Sequence, residues 1–380
     1  MNLSFSEEQE MLKKAARDFL AQKFPKKVIK KMEESEEGYS AELWQEMAEL
    51  GWIGLAFPEK YAGGGMNFLD LSVLLEEMGR ACLPGPFFST VVLGGLTILD
   101  VGNEEQKQEY LPKLARGERI FSLALTEPSW QNYDAASVTV KATSDKSDYI
   151  INGTKLFVPD AHIADYLLCV ARTKEQAKRE DGITIFLVDA RNPGINCAVL
   201  KTIAGDKLCE VVFDHVRVPR DNILGQLDQE WREVQKIIER AAVAKCCEML
   251  GNIQRVLEMT LDYAKERKQF DRPIGSFQVI QHYCADMATG VDGARFSTYQ
   301  AAWMISQGLP CTKEVAIAKA WVGEASQRII TSAHQIHGAI GLTMEHELHF
   351  HTRRAKAGEL SFGDANFYRE IVAKEMGLIS

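Results

Sequence analysis

Nowhere does the chain carry an apolar run approaching the roughly 20 residues that a helix needs to cross a bilayer, so no membrane insertion is expected. Its start, Met1-Asn2-Leu3-Ser4-Phe5-Ser6-Glu7-Glu8, has no basic residues ahead of an apolar core, and no secretory signal is read there. Regular cysteine spacing is also missing. The eight cysteines, Cys246 and Cys247 among them, form no disulfide framework, which predicts reduced thiols and a cytoplasmic protein. Basic charge is short as well: a net charge of -9 and an isoelectric point near 5.5 argue against nucleic acid or an anionic membrane surface as partner. They leave an anionic ligand in a local basic pocket open. No internal repeat and no low-complexity segment occurs. What remains is an ordinary globular composition, 46% hydrophobic and 26% charged, over 380 residues, enough for several packed layers.

Helical periodicity dominates the first third. Residues 3–24 put Leu12, Ala15, Ala16, Phe19 and Leu20 on one helix face. Residues 40–50 repeat the pattern, with Ser40 as N-cap and Gly51 as the stop. A loop at 58–65 leads to a helix at 69–82, which Pro84-Gly85-Pro86 ends before helical character returns at 90–99. From about Arg119 the texture becomes β-rich, in short runs such as 137–142, 149–151, 166–171, 183–188 and 209–213, punctuated by turns like Asn152-Gly153. Too few helices interleave for a nucleotide-binding α/β unit, so an antiparallel β domain is expected. After Gly225 four long periodic stretches, 230–267, 276–307, 312–337 and 353–376, predict an antiparallel four-helix bundle. The expected class is α+β: an N-terminal helical domain (1–120), a middle antiparallel β domain (121–225) and a C-terminal four-helix bundle (226–380).

Five motifs in this order resemble the acyl-CoA dehydrogenase family across essentially the whole chain. They are the glycine-rich stretch Gly51-Trp52-Ile53-Gly54 through Gly63-Gly64, then Leu125-Thr126-Glu127-Pro128, then Ile151-Asn152-Gly153-Thr154-Lys155. Arg267-Lys268-Gln269-Phe270-Asp271-Arg272-Pro273-Ile274-Gly275-Ser276-Phe277-Gln278 is similar to the family's R-x-x-F-G-x-P-I-x-x-F-Q, with Asp271 in place of glycine. Gln335-Ile336-His337-Gly338-Ala339-Ile340-Gly341 is similar to Q-x-x-G-G-x-G, with Ala339 as the change.

The resemblance implies FAD as cofactor. It places Leu125 and Thr126 at the pyrimidine edge of the flavin and Phe157 and Val158 on the strand behind it. It gives Arg267, Phe270 and Gln278 to the FAD of a neighbouring subunit, with Gln335 and Gly338 at the adenosine end, and Asp364 and Asn366 as further cofactor contacts. A guanidinium suits a pyrophosphate because it offers a rigid fork of charged donors. A shared site implies a homodimer or homotetramer, with a hetero-oligomer as an alternative. The implied partners are an acyl-CoA substrate and an electron-transfer flavoprotein.

Four residues depart from the family where substrate meets flavin. Pro159 stands in place of a hydroxyl residue that bonds flavin N5, and proline has no N–H to replace it. Counting from Lys356 puts Phe362 in the slot of the catalytic glutamate, with Gly363 beside it in the substrate pocket. Counting back from Gly251 puts Ala241, also a pocket residue, where a minority of members carry the base, and Ala242 where an arginine follows. Glu239 and Arg240 are read as a surface or subunit-contact pair. Glu359, about one helical turn before Phe362, is the one nearby candidate base. Asp160 and His162 are read as turn residues, and Phe87 to Leu93 offers no acid. His334, His337, His346, His349 and His351 spread over a helix end and a loop without converging cysteines, so no metal is expected.

Taken together, the resemblance implies an FAD-dependent oxidoreductase acting on an acyl-CoA thioester, of cyclic, bulky or otherwise unusual acyl group, with a non-standard base. Two alternatives stay open: a non-redox, desulfinase-like elimination, and a base-less partner subunit of a hetero-oligomer.

Overall fold

A computed structural model describes residues 5–129, 133–175 and 178–379. The first two residues of the helix expected at 3–24 therefore lie outside the described residues. The chain packs as two compact units built from interleaved segments. One takes the chain up to Ile29, Phe68–Leu83 and everything from Ala242; the other takes Lys30–Asn67 and Pro84–Ala241.

The helices of the first third are α1 (Glu7–Lys23), α2 (Lys26–Glu34), α3 (Ala41–Glu49), α4 (Phe68–Arg80), α5 (Leu96–Val101) and α6 (Glu104–Ala115). Ser6 opens α1 with a reciprocal capping box to Gln9, and Ser40 caps α3 by accepting from Leu43 N. Gly51 follows α3 at φ +75°, a conformation that suits glycine at a helix end. The expected helix at 90–99 is instead a π-helical turn, Phe88–Gly95, running into α5. Two helices carry weak sequence signals and were not expected. In α2 only Ile29 and Met32 are buried, among lysines, and α6 contains Pro112.

The strands follow: β1 (Phe121–Ala124), β2 (Lys141–Asp145), β3 (Asp148–Pro159), β4 (Tyr166–Arg172), β5 (Ile183–Asp189), β6 (Ile195–Leu200), β7 (Leu208–Pro219) and β8 (Ile223–Leu224). They form one sheet in the order β6-β7-β3-β2-β4-β5-β8. The pairing is antiparallel except at β4, where β1 lies parallel with Phe121 opposite Tyr166 and β2 adds one parallel contact. Alternate residues of β7, from Cys209 through Val211 and Phe213, face a core that also holds Val140, Ile151 and Phe186. β6 escapes sequence recognition because it is an edge strand with both faces largely open, so its residues show no alternation.

From Trp231 the chain is helical again: α7 (Trp231–Glu266), α8 (Gln278–Ser306), α9 (Thr312–His337), α10 (Leu348–Leu360) and α11 (Ala365–Glu375). The fourth long helix expected at 353–376 is thus two helices, broken at 361–364. In this unit α4 and α7 touch backbone to backbone. A Cβ on Gly79 would meet Glu248 O at 1.9 Å, and one on Gly251 would meet Glu76 O at 1.7 Å. Only glycine permits that approach. Beside it the buried Glu76 carboxylate accepts from Arg295 Nη1 at 2.8 Å and Tyr299 OH at 2.6 Å, with Lys13 at 3.4 Å. Burial raises its pKa, but the paired cations and the tyrosine outweigh that and hold it below the ordinary carboxylate value. Among the described residues no helix is long and apolar enough to cross a membrane.

Candidate functional site

In the sheet unit, a buried ion pair builds the surface that carries Leu125, Thr126 and Phe157. Lys155 Nζ, with no exposed surface, donates to Leu125 O at 3.0 Å and to Glu127 Oε1 at 2.7 Å. The Glu127 carboxylate in turn accepts from Thr139 N and Val140 N. Burying two charges is costly unless other hydrogen bonds support them, and here the Leu125 carbonyl supports Lys155 and two backbone N–H groups support Glu127. The pair fixes the 125–127 segment to β3, and Leu156 N completes the seam by donating to Thr126 O at 2.8 Å.

That last bond takes Leu156 out of the ladder with β7. Pairing jumps from Lys155 opposite Val211 to Val158 opposite Cys209, so two residues of β3 face one of β7. This is a β-bulge, and it re-aims a side chain. Phe157 adopts φ +55° and is 55% exposed, while Val158 and Leu125 are buried and Thr126 half-buried. Pro159 ends the strand with its carbonyl accepting from Ser122 Oγ.

The next residue is one that the sequence reads only as a turn residue. Asp160 does sit in the expected turn, at φ +53°, with Ile163 N donating to Asp160 O. Its side chain, however, is buried and accepts from Ser89 Oγ at 2.6 Å. Ser89 belongs to the π-helical stretch in which no acid was found. Burial pushes the Asp160 carboxyl up to about 6, against the pull of Ser89 and of His162 nearby. His162 bonds the Glu37 carbonyl through Nε2 at 3.1 Å and faces Cys209 Sγ through Nδ1 at 3.8 Å.

A pH prediction follows. Between the unfolded value near 3.8 and about 6 the folded chain binds the proton more tightly, so this residue's contribution to stability falls as pH rises through that window. Asp160→Asn keeps an acceptor for Ser89 and removes that slope. Its stability relative to the parent should increase by roughly 2–3 kcal/mol from pH 4 to pH 7, measured by denaturant unfolding at each pH.

In the helical unit, the long motif after α7 forms a tight hairpin. Gln269 pairs with Arg272, and the two residues between them, Phe270 and Asp271, both have positive φ, +52° and +60°. That is the type I′ arrangement, for which aspartate is among the tolerated residues, so the replacement of the family's glycine by Asp271 keeps the turn. The hairpin leaves the Phe270 ring 86% exposed, edge-on to Phe277 at 6.1 Å. Arg267 and Gln278, on either side, are exposed and donate no side-chain hydrogen bond to the described residues. The second motif ends α9: Gln335 is exposed, and Gly338 has φ +64° and ψ −143° with open space around a would-be Cβ. Tyr263 of α7 joins the two motifs by stacking on His337 at 4.6 Å and donating to its carbonyl at 3.4 Å. Unused amide and guanidinium donors, an open glycine and an exposed aromatic ring suit the phosphates and adenine of a dinucleotide.

The break between α10 and α11 holds Phe362 at φ +57° and Gly363 at φ +102°. Three carbonyls of this corner, Gly358, Glu359 and Gly363, accept from the buried Lys319 Nζ at 3.1, 2.8 and 2.8 Å. Tyr368 OH donates to Phe362 O at 2.7 Å. Two expectations change here, those for Glu359 and Arg240. α10 ends at Leu360, so Glu359 and Phe362 do not share one helix face; Glu359 is instead buried with Lys356 Nζ 2.6 Å away. Asp364 spends Oδ1 capping α11 at Phe367 N, while Asn366 is exposed. Arg240 is not a surface residue: it is buried, bonded to Asp100 and within 3.5 Å of Thr97 Oγ1, because its helix face turns inward beside the fully buried Ala241. Ala242 is buried too. Among the described residues no group of three His, Cys, Asp or Glu is placed to hold a metal ion.

Comparison with known proteins agrees with this architecture. Residues 6–118, 122–216 and 230–377 match the N-terminal, middle and C-terminal domain models of acyl-CoA dehydrogenase. The chain is 32% identical to a probable acyl-CoA dehydrogenase, YngJ, of Bacillus subtilis over 99% of its own length and 100% of the relative's. It is 30% identical to the caffeyl-CoA reductase-Etf complex subunit CarC of Acetobacterium woodii, covering 90% of this chain and 91% of that one. Among solved structures, the ChsE4-ChsE5 complex from Mycobacterium tuberculosis has a chain that superposes with a TM-score of 0.91 at 26% identity, over all of both chains. The chain belongs to the acyl-CoA dehydrogenase family of FAD-dependent flavoprotein oxidoreductases.

Proposed function

We propose that this protein oxidises or reduces an acyl-CoA thioester of unusual acyl group, cyclic, bulky or vinylogous, without a carboxylate at either position where the family keeps its base. One observation carries the reading. The donors expected to hold FAD (Arg267, Gln278, Gln335) are free, while Phe362 and Ala241 put hydrocarbon at both base positions. Arg267, Phe270, Gln278, Gln335 and Gly338 would hold the phosphate and adenosine end of FAD in a neighbouring subunit. Leu125, Thr126, Phe157 and Val158 would lie along the ring. FAD, when bound, supplies the hydride acceptor. The chain's part is to orient the thioester against that surface, and Pro159 removes one donor from it, so the redox tuning differs from that of relatives with a hydroxyl there.

Electrons would be exchanged with an electron-transfer flavoprotein. The name of the CarC relative, a subunit of a reductase-Etf complex, supports this. A second reading has support from the ChsE4-ChsE5 complex, an assembly named for two different chains. In it this chain completes a partner's FAD site and contributes no base.

The test is spectroscopic. The purified chain should carry flavin, and a cyclic or branched acyl-CoA added without oxygen should bleach its absorbance. Glu359→Gln should leave the bleaching rate within about twofold, because a buried carboxylate held by Lys356 is poorly placed to accept a proton. Product without bleaching would overturn the redox reading in favour of elimination. Flavin acquired only in the presence of a second gene product would overturn it in favour of the partner subunit.

A further inference from the structure

The helical unit contains a cavity of about 430 Å³ that the proposed function leaves unused. It lies between the end of α1 and start of α2, the C-terminal end of α4, the middle of α7 and the start of α10. One part of its wall is hydrocarbon, from Leu20, Phe24, Ile29 and Phe350. The other part is three hydrogen-bonding groups with unused capacity, each from a different helix.

Arg255 of α7 has Glu258 and Glu347 as its nearest acids, both 3.9 Å away and beyond hydrogen-bond reach. Its guanidinium gives no hydrogen bond to any described residue, which leaves the planar fork of five N–H groups unused. Arg80, the last residue of α4, donates Nη2 to Glu258 at 2.5 Å, but its Nη1 is buried without a partner. His351 of α10 is 5% exposed. Its Nδ1 faces Cys82 Sγ at 3.4 Å, and its Nε2 has no hydrogen-bond partner among the described residues. Burial, with Arg255 and Arg80 close by, pushes this imidazole down to about 3, so the ring is neutral at physiological pH. Where the Cys82 S–H donates to Nδ1, Nε2 carries the proton and is a donor.

Charge points the same way. Around the cavity stand four cations, Arg17, Lys26, Arg80 and Arg255, and three carboxylates, Glu77, Glu258 and Glu347. Arg17 is held by Glu77 and Arg80 by Glu258, and Glu347 stands 3.9 Å from Arg255, so of the four cations one, Lys26, is in surplus, bonded to the Glu345 carbonyl. Buried and half-buried donors without acceptors are costly, and a surplus cation beside them calls for an acceptor with one negative charge.

We propose that this cavity binds a small amphipathic carboxylate, its head taken by Arg255, Arg80 and His351 and its hydrocarbon body lying against Leu20, Phe24, Ile29 and Phe350. A carboxylate is planar, matches a guanidinium fork bidentately and has lone pairs left for the imidazole N–H. A phosphate would bring more than one charge close to Glu77 and Glu347, which favours the monoanion. The volume lies within the range of small-molecule sites.

Octanoate is the probe. Titrated calorimetrically into the purified, flavin-loaded chain, it should bind saturably with one molecule per chain. 1-Octanol, which has the body without the charge, and inorganic phosphate, which has charge without the body, should bind at least about tenfold more weakly, as expected when a charge-assisted contact or the apolar burial is lost. Arg255→Met should weaken octanoate by about tenfold or more while leaving the melting temperature unchanged, because Arg255 makes no hydrogen bond within the fold. His351→Phe should weaken it too, and in the parent chain the His351 ring resonances should shift on binding. No saturable binding overturns the proposal. So does an isotherm that Arg255→Met and His351→Phe both leave unchanged, since octanoate would then occupy another site, the acyl pocket included.

Discussion

Lys155→Met should destabilise the sheet unit by roughly 3–5 kcal/mol, the cost expected when one partner of a buried ion pair is removed. It should also strip the protein of most of its flavin. The reason is that Lys155 has two duties at once. Its ammonium neutralises Glu127 where neither side chain is exposed to solvent, and it also donates to the Leu125 carbonyl, so that the residues expected at the flavin's pyrimidine edge are tied to β3. Methionine fills similar space but leaves a buried carboxylate whose remaining partners are the N–H groups of Thr139 and Val140 and the Thr139 hydroxyl. It also leaves the Leu125 oxygen without its donor. Urea unfolding would read the first effect and flavin absorbance per chain the second. A variant with parental stability and full flavin content would show that the pair is not what organises this edge.

Much of this architecture can be read from residue pattern, and the exceptions around the candidate site, unlike α2, α6 and β6, share a cause. Helices α1, α3, α4, α7, α8 and α9 announce themselves because one face must be apolar to pack, and the core strands because alternate residues must be. The places that escaped there are where a non-glycine residue takes positive φ: Phe157 in the β3 bulge, Asp160 after it and Phe362 between α10 and α11. No composition signal marks the two phenylalanines, since phenylalanine has no preference for that region and tertiary contacts impose it. Each is nonetheless held visibly, by Leu156 N on Thr126, by Ser89 on Asp160 and by Tyr368 on Phe362. Asp160 escaped for a second reason: an aspartate after a strand reads as a turn residue, and only the fold shows that its carboxyl points inward to Ser89. The four departures at Pro159, Ala241, Ala242 and Phe362 were legible because the surrounding motifs fix the count. What each does was not, since removal of a hydroxyl or a carboxylate names no replacement.

The corner at Phe362 depends on one buried cation, and Lys319→Met should expose that dependence. Three carbonyls, of Gly358, Glu359 and Gly363, lose their donor together. At about 1–3 kcal/mol for each buried acceptor left unsatisfied, partial relaxation of the corner leaves a loss on the order of 4 kcal/mol. Gly363 has little freedom to compensate, since at φ +102° it sits where only glycine is unstrained, with Phe367 closing over it. The loss should also be pH-dependent in a direction that excludes a simple cavity effect. Burial pulls the Lys319 ammonium down to about 8. Between that value and the ordinary one near 10.4, the unfolded chain binds the proton more tightly than the folded one, so this lysine's contribution to stability rises as pH climbs through the window. Parent and variant should therefore diverge further at pH 10 than at pH 7.5, by an amount on the order of 2–3 kcal/mol, in parallel denaturant titrations. Equal destabilisation at both pH values would mean that the methionine merely packs badly. A gap that widens toward high pH would identify the buried amine as the group that holds the chain's turn at Phe362.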